Sequence, residues 1–139
     1  ARLMKHKIYV ALGSNLGDGK SHLDKAVAML SQRVGVVLAV SSFIESEPWG
    51  FESEHRFTNG AVAMLTSLSP FELLDATQSI EREMGRQHKH KPGEPYRDRI
   101  IDIDILLYDD LQIATSQLVI PHPHINDRDF VRLPLAEIL

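Results

Sequence analysis

Apolar positions recur along this chain in two rhythms that alternate. Over KIYVALG (7–13) they alternate singly, with Ile8, Val10 and Leu12 on one side, which predicts a strand running into a glycine loop. From Leu23 the spacing changes to threes and fours, through Ala26, Val27, Leu30 and Val34, and predicts a helix with Ser21 as N-cap and Gly35 at its C-terminal end. Residues 36–46 are rich in β-branched side chains and read as a second strand, and EPWGFESEH then reads as a loop. FTNGAVAMLT (57–66) makes a third strand, with Ala61, Ala63 and Leu65 on one face and Val62 and Met64 on the other. Ser69-Pro70-Phe71-Glu72 fits a capping box with proline at the first helical position. The helix it opens runs to about Met84, with Leu73, Ala76, Thr77, Ile80 and Met84 inward and Gly85 just beyond.

RQHKHKPGEPYRDR (86–99) has neither period and reads as a mobile loop. IIDIDILLY follows as a strong strand, Asp109-Asp110 as a turn, and residues 111–120 as a returning strand. Asn126 is placed to cap a last short helix from Asp129 to Leu133. The order strand, helix, strand, strand, helix, strand is the split β-α-β arrangement. It predicts an α+β, ferredoxin-like sandwich: an antiparallel sheet with two main helices packed on one face and the ligand site on the other.

Totals narrow the picture. With 139 residues the chain is long enough for one domain with a real core; residues 1–6 read as appended or disordered. A net charge of −4 argues against a protein that grips nucleic acid by neutralising phosphates. With no cysteine, thiol catalysis and thiolate metal sites are excluded. No apolar run reaches the ~20 residues a bilayer span needs. A cytoplasmic monomer without nucleic-acid or membrane partners is the expectation.

Candidate chemistry begins with GSNLGDGKS (13–21), which resembles a phosphate-binding loop but has Ser14 where the first glycine must stand. The stronger signal is Asp102 and Asp104. Two apart in a strand, they share a face with Cβ atoms roughly 6–7 Å apart. Simple alternation toward water is one reading. Parity, however, puts Ile100 and Leu106 on the same face, and charge set among apolar groups favours a hard cation such as Mg²⁺, which takes carboxylate oxygens and nucleotide phosphates together. The 86–99 loop carries five basic residues, Arg86, Lys89, Lys91, Arg97 and Arg99, against Glu94 and Asp98, which suits a polyphosphate or, equally, a solvated charged loop. His122 and His124 lack a third ligand at zinc spacing. Trp49, Phe57, Tyr96 and Phe130 lie in or beside loops, where planar rings stack on a flat heterocycle or simply cover core. Asn59 offers a donor and an acceptor to such a ring's edge, or caps a turn.

Taken together, ALGSNLGD, the EPWGF loop, FTNGAV, QSIEREMGR, RIIDIDILLY and VIPHPHINDRDFVRLPL resemble the 6-hydroxymethyl-7,8-dihydropterin pyrophosphokinases of folate biosynthesis, from about Ile8 to the end of the chain. The resemblance implies transfer of pyrophosphate from ATP to the pterin hydroxymethyl group, with release of AMP, and two Mg²⁺ ions on Asp102 and Asp104. It implies that Arg86 and Arg99 meet the polyphosphate and that Gln78, Glu81, His88, Tyr96, Ile105, His122 and Arg128 surround ATP. Ser46, Glu47, Pro48, Trp49, Phe57, Asn59, Tyr96 and Phe130 match the pterin pocket, and the opening glycine loop matches a catalytic lid. Tyr96, Phe57 and His88 stand where tryptophan, tyrosine and arginine are familiar, and Gln117, Val119 and Pro123 also depart from the pattern. Two other classes remain open: a non-catalytic ligand-binding regulatory module on the same fold, and an RNA-binding sheet, which the acidic balance and the lack of an aromatic-rich strand disfavour.

Overall fold

The computed structural model describes residues 4–46, 56–85 and 100–139. In chain order these form β1 (His6–Ser14), α1 (Gly19–Arg33), β2 (Gly35–Val40), β3 (Ile44–Ser46), β4 (Phe57–Thr66), α2 (Pro70–Glu83), β5 (Asp102–Tyr108), β6 (Ile113–Ala114), β7 (Val119–Ile120) and α3 (Asp129–Ile138). The main sheet is antiparallel in the order β2-β4-β1-β5, with β3 also pairing β4; β6 and β7 form a separate two-stranded ribbon. The predicted strand and helix order is therefore present.

The inward stripes meet as expected. Ile8, Val10 and Leu12 of β1, Val62 and Met64 of β4 and Ile103 and Ile105 of β5 pack against Leu23, Ala26 and Leu30 of α1 and Leu73 and Ile80 of α2 in one buried cluster. That apolar burial is the main stabilising term. Ser69 and Glu72 form the reciprocal capping box, with Pro70 at the first helical position. Gly85 follows at φ +105, the left-handed turn that favours glycine.

Six expectations change. First, α1 starts at Gly19, and Asp18 rather than Ser21 caps it, its carboxylate accepting the Ser21 N–H at 3.3 Å and the Ser21 hydroxyl at 2.8 Å. Second, residues 36–46 are two strands. The register slips between Val37 and Ala39, and Ser41 then stitches the break to Ala61, giving its N–H to the Ala61 carbonyl and accepting the Ala61 N–H on Oγ. Third, Gly35 does stand just past the α1 C-cap Val34, but it also opens β2, and what demands a glycine is the partner strand: a Cβ there would sit 1.9 Å from the Leu65 carbonyl oxygen. Fourth, residues 111–120 are the β6–β7 ribbon, because Thr115 Oγ1 accepts the N–H groups of Gln117 and Leu118 and turns the chain. Fifth, Ile100 precedes β5 and packs with the α1–α2 cluster, so parity fails to carry it onto the face of the aspartates.

The sixth change matters most for the site. The last helix does not stop before Pro134 but runs to Ile138; Asn126 lies outside it, and Arg128 holds the N-cap position without a side-chain cap. A proline inside a helix costs a hydrogen bond. Burial of Val131, Pro134 and Leu135 offsets that, because α3 lies on the sheet face opposite α1 and α2, over Tyr9, Ala63 and Leu106. Glu137 fastens its far end by accepting the Ser42 N–H at 2.8 Å and the Ser42 hydroxyl at 2.7 Å. The second face is thus shared between a helix and a cleft rather than left wholly to a ligand. The strand β1 begins at His6, within the segment read as appended, and His6 contacts Asp109 through Nδ1 at 2.8 Å. Among the described residues no helix is long and apolar enough to cross a membrane.

Candidate active site

One row across the sheet builds the floor of the cleft: Ile44, Asn59, Gly13 and Asp102 face one another on β3, β4, β1 and β5, and the next row sets Ala61, Ala11 and Asp104 side by side. Gly13 and Ala11 on β1 and Ala61 on β4 keep this floor low, while Asn59 on β4 and the two aspartates on β5 raise polar side chains at its two sides. A Cβ at Gly13 would lie 3.4 Å from Asn59 Oδ1 and 3.7 Å from the Phe57 ring, so the missing side chain is what leaves Asn59 open toward Asp102. The cleft is lined by Ala11, Gly13, Phe57, Asn59, Asp102, Asp104, His122, Arg128 and Phe130, with Leu106 and Val131 closing its apolar end.

The aspartates owe their shared face to alternation: Asp102 and Asp104 are half-buried in the cleft while Ile103 and Ile105 go to the core. Beyond them β5 bulges opposite Tyr9 and Val10, and Leu106 turns onto the α3 face to wall the cleft. Two further groups hold the outer edge of β5. Glu81, buried on α2, accepts the Ile103 N–H on Oε2 at 2.7 Å, and the His122 N–H donates to the Leu106 carbonyl at 3.0 Å. The second bond brings the Pro121–Ile125 segment, which follows a cis Ile120–Pro121 peptide, alongside Asp104.

Local hydrogen bonds set the orientation of the polar groups. Asn59 Nδ2 donates to Ser46 Oγ at 2.8 Å, so its Oδ1 is the atom that overlooks Gly13 and can accept from a ligand. His122 Nδ1 accepts the His124 N–H at 3.1 Å, which leaves the proton of the neutral ring on Nε2 as a donor. Burial holds His122 below the usual histidine range, partly offset by the negative charge of Asp104. Arg128, almost fully buried at the start of α3, sets its guanidinium 5.9 Å from the centre of the Phe130 ring, fixing both at the cleft mouth.

Of the residues singled out from sequence, the fold therefore brings Phe57, Asn59, Asp102, Asp104, His122, Arg128 and Phe130 together, with Ser46 bracing Asn59. Ile105 turns its side chain into the core on the opposite face, because it alternates with the aspartates, so it offers a ligand only its main chain. Gln78 and Glu81 on α2 do not line the cleft either. Glu47, Pro48, Trp49, Arg86, His88, Tyr96 and Arg99 lie outside the described residues. Reading the sequence alone missed Ala11 and Gly13 as cleft floor; the signal was the small residue in strand register with the polar ones. No cluster of three or more His, Cys, Asp or Glu exists among the described residues, so nothing there supports zinc on His122 and His124.

The phosphate-loop reading of residues 13–21 also fails on geometry. At the N-terminus of α1, where such a loop receives an anion, the Asp18 carboxylate already caps the helix, and its bonds to Ser21 hold it below the usual carboxylate range.

Comparison with known proteins agrees with the architecture and the motifs. Residues 9–139 match the family model of 7,8-dihydro-6-hydroxymethylpterin pyrophosphokinase. The chain is 50% identical over 132 residues to the 2-amino-4-hydroxy-6-hydroxymethyldihydropteridine pyrophosphokinase of Porphyromonas gingivalis, covering 94% of this chain and 89% of that one. It is 48% identical over 136 residues to the Bacillus subtilis enzyme of the same name, covering 97% and 79%. A crystal structure of Plasmodium falciparum HPPK-DHPS shares the fold at a TM-score of 0.77 and 16% identity; the match takes in 95% of this chain and 40% of that longer one. With nearly its whole length inside the family match, this chain belongs to the 7,8-dihydro-6-hydroxymethylpterin pyrophosphokinase family.

Proposed function

We propose that this chain performs the pyrophosphokinase reaction of its family with the residues of the β1–β4–β5 cleft, taking ATP and 6-hydroxymethyl-7,8-dihydropterin to AMP and the pterin diphosphate. The observation that carries the reading is the single sheet row that sets Asn59 and Asp102 on either side of Gly13. A hydrogen-bond acceptor at one side of a flat floor and a carboxylate pair at the other suit a planar donor-edged heterocycle whose alcohol reaches toward the acids.

The donor set also fits Mg²⁺. Two carboxylates on one face, without a third acidic or imidazole ligand in a described cluster, leave coordination positions for water and phosphate oxygens, as this small hard cation prefers. Asp102 and Asp104 would hold it, two ions in the full form of the reading. Bound there with the nucleotide, it would lower the hydroxyl pKa and neutralise charge on the transferred phosphorus.

The chain's own groups supply the remainder. Asn59 Oδ1 accepts from the N–H edge of the pterin and sets its orientation, while Phe57 and Phe130 cover its faces. His122 Nε2–H and the Arg128 guanidinium donate to phosphate oxygens, and Arg86 and Arg99 extend that set in the same reading. The pterin hydroxyl oxygen attacks the β-phosphorus as its proton passes to water, the bond from that phosphorus to the oxygen bridging the α-phosphorus breaks, and AMP leaves with that oxygen. The glycine loop as a lid, a monomeric state and a cytoplasmic setting belong to the same reading, supported by the family resemblance and the composition.

Asn59 gives a selective test. Asn59→Ala is expected to raise KM for the pterin about thirtyfold through loss of an oriented polar partner, with KM for ATP within twofold. Steady-state kinetics with each substrate varied in turn checks it. The reaction itself is tested by following AMP with purified protein: formation is expected only when ATP, Mg²⁺ and pterin are all present. Pterin-independent ADP release would indicate an ordinary ATPase, and binding without turnover a regulatory module.

A further inference from the structure

We infer that Glu81 is a positioning residue for the pair Asp102 and Asp104, acting through the main chain between them. The inference rests on the reading of those aspartates as the metal-holding pair. Every other buried position of α2 is Leu73, Thr77 or Ile80, and an apolar side chain would be the ordinary choice at the next inward position. Instead the position carries a carboxylate, 2% exposed, that accepts the Ile103 N–H at 2.7 Å. A buried acid is weak evidence for stability, since a well-packed apolar replacement is often neutral, so its use is better sought in what it holds still.

What it holds is the peptide plane that joins Asp102 to Ile103. Fixing that plane fixes ψ of Asp102 and φ of Ile103, two of the four backbone torsions that separate the Asp102 and Asp104 Cα atoms. Among the described residues β5 pairs within the sheet with β1 alone, and Glu81 bonds its outer side at the peptide where the relative direction of the two carboxylates is decided. A charge-assisted bond of this length is stiffer than a neutral one.

Replacement of Glu81 by Gln and by Met separates this role from the alternatives, because Gln keeps an oxygen acceptor without the charge and Met fills the same volume with neither. The metal probe is Mn²⁺, titrated by electron paramagnetic resonance in the presence of a non-hydrolysable ATP analogue, with Asp102→Asn as reference. Supporting metal ligands from outside the coordination sphere typically governs affinity by tenfold or more. Glu81→Met is expected to raise the Mn²⁺ half-saturation about tenfold and to lower kcat to match, with the pterin KM within twofold. Glu81→Gln is expected to move half-saturation only about threefold, and to shift the Ile103 amide proton upfield from the wild-type resonance. An unchanged half-saturation in Glu81→Met overturns the inference, and so does an equal loss in both variants, which would assign the effect to the charge. Should Glu81→Met not fold, Glu81→Gln decides alone: an Ile103 resonance and a half-saturation both unmoved overturn it. An Asp102→Asn variant that binds Mn²⁺ as well as wild type would instead sink the metal reading itself.

Discussion

Asp102→Ala and Asp104→Ala, made singly, are each expected to lower kcat/KM by about a thousandfold while the protein stays folded. The size follows from what the carboxylates do in the proposed reaction. Each removes one anionic ligand from the ion that neutralises the triphosphate, and the Lewis-acid contribution of such an ion amounts to several kcal/mol of barrier, at about 1.4 kcal/mol per factor of ten. The fold should survive, because both side chains line a cleft and the strand keeps its core contacts through Ile103 and Ile105. Asn at either position, neutral and equal in size, should lose nearly as much, since charge and not shape holds the cation. The pair of measurements is AMP formation against Mg²⁺ concentration and thermal unfolding monitored by circular dichroism. Activity within threefold of wild type in either alanine variant would remove the metal assignment.

Gly35→Ala should have the largest effect on stability, about 3 kcal/mol, which for a chain of this length corresponds to roughly a 10 °C fall in Tm. The added methyl would lie 1.9 Å from the Leu65 carbonyl oxygen and 3.1 Å from the Thr66 Cα, both main-chain atoms of the partner strand, so no side chain can move aside to admit it. β2 would have to leave β4 at the Gly35–Thr66 pair, where Thr66 Oγ1 also donates to the Val34 carbonyl at 2.7 Å and accepts the Leu68 N–H. Gly13→Ala is the contrast. Its methyl would meet Asn59 Oδ1 at 3.4 Å, an ordinary contact, so the cost in stability should stay under about 1 kcal/mol while pterin turnover falls. Urea unfolding of both variants beside steady-state kinetics separates a glycine that serves the fold from one that serves the cleft; equal losses of stability would contradict the distinction.

The two glycines show how far local pattern reaches. Both were visible in the sequence as glycines near element ends, and the reading placed Gly35 at a helix terminus because that is where a left-handed residue is commonly needed. The actual requirement is the nearness of a strand thirty residues later, which no local window contains. The last helix teaches the same point. The expected helix ends at Leu133, just before Pro134, and the apolar surface offered by Tyr9, Ala63 and Leu106 makes it favourable to continue to Ile138.

The sequence by itself determined the periods of the strands and main helices, the reciprocal cap at Ser69 and Glu72, the shared face of Asp102 and Asp104, and membership of a family whose motifs run nearly the length of the chain. These are near-neighbour properties, set by backbone geometry and by residues two to four apart. Tertiary structure alone decided that Asn59, Gly13 and Asp102 form one row, that α3 covers part of the face expected to be free, that the Ile105 side chain belongs to the core and that Glu81 reaches the peptide between the aspartates. Those relations depend on strand register and on which surfaces meet, and both are settled by burial summed over the whole sheet rather than by any local segment.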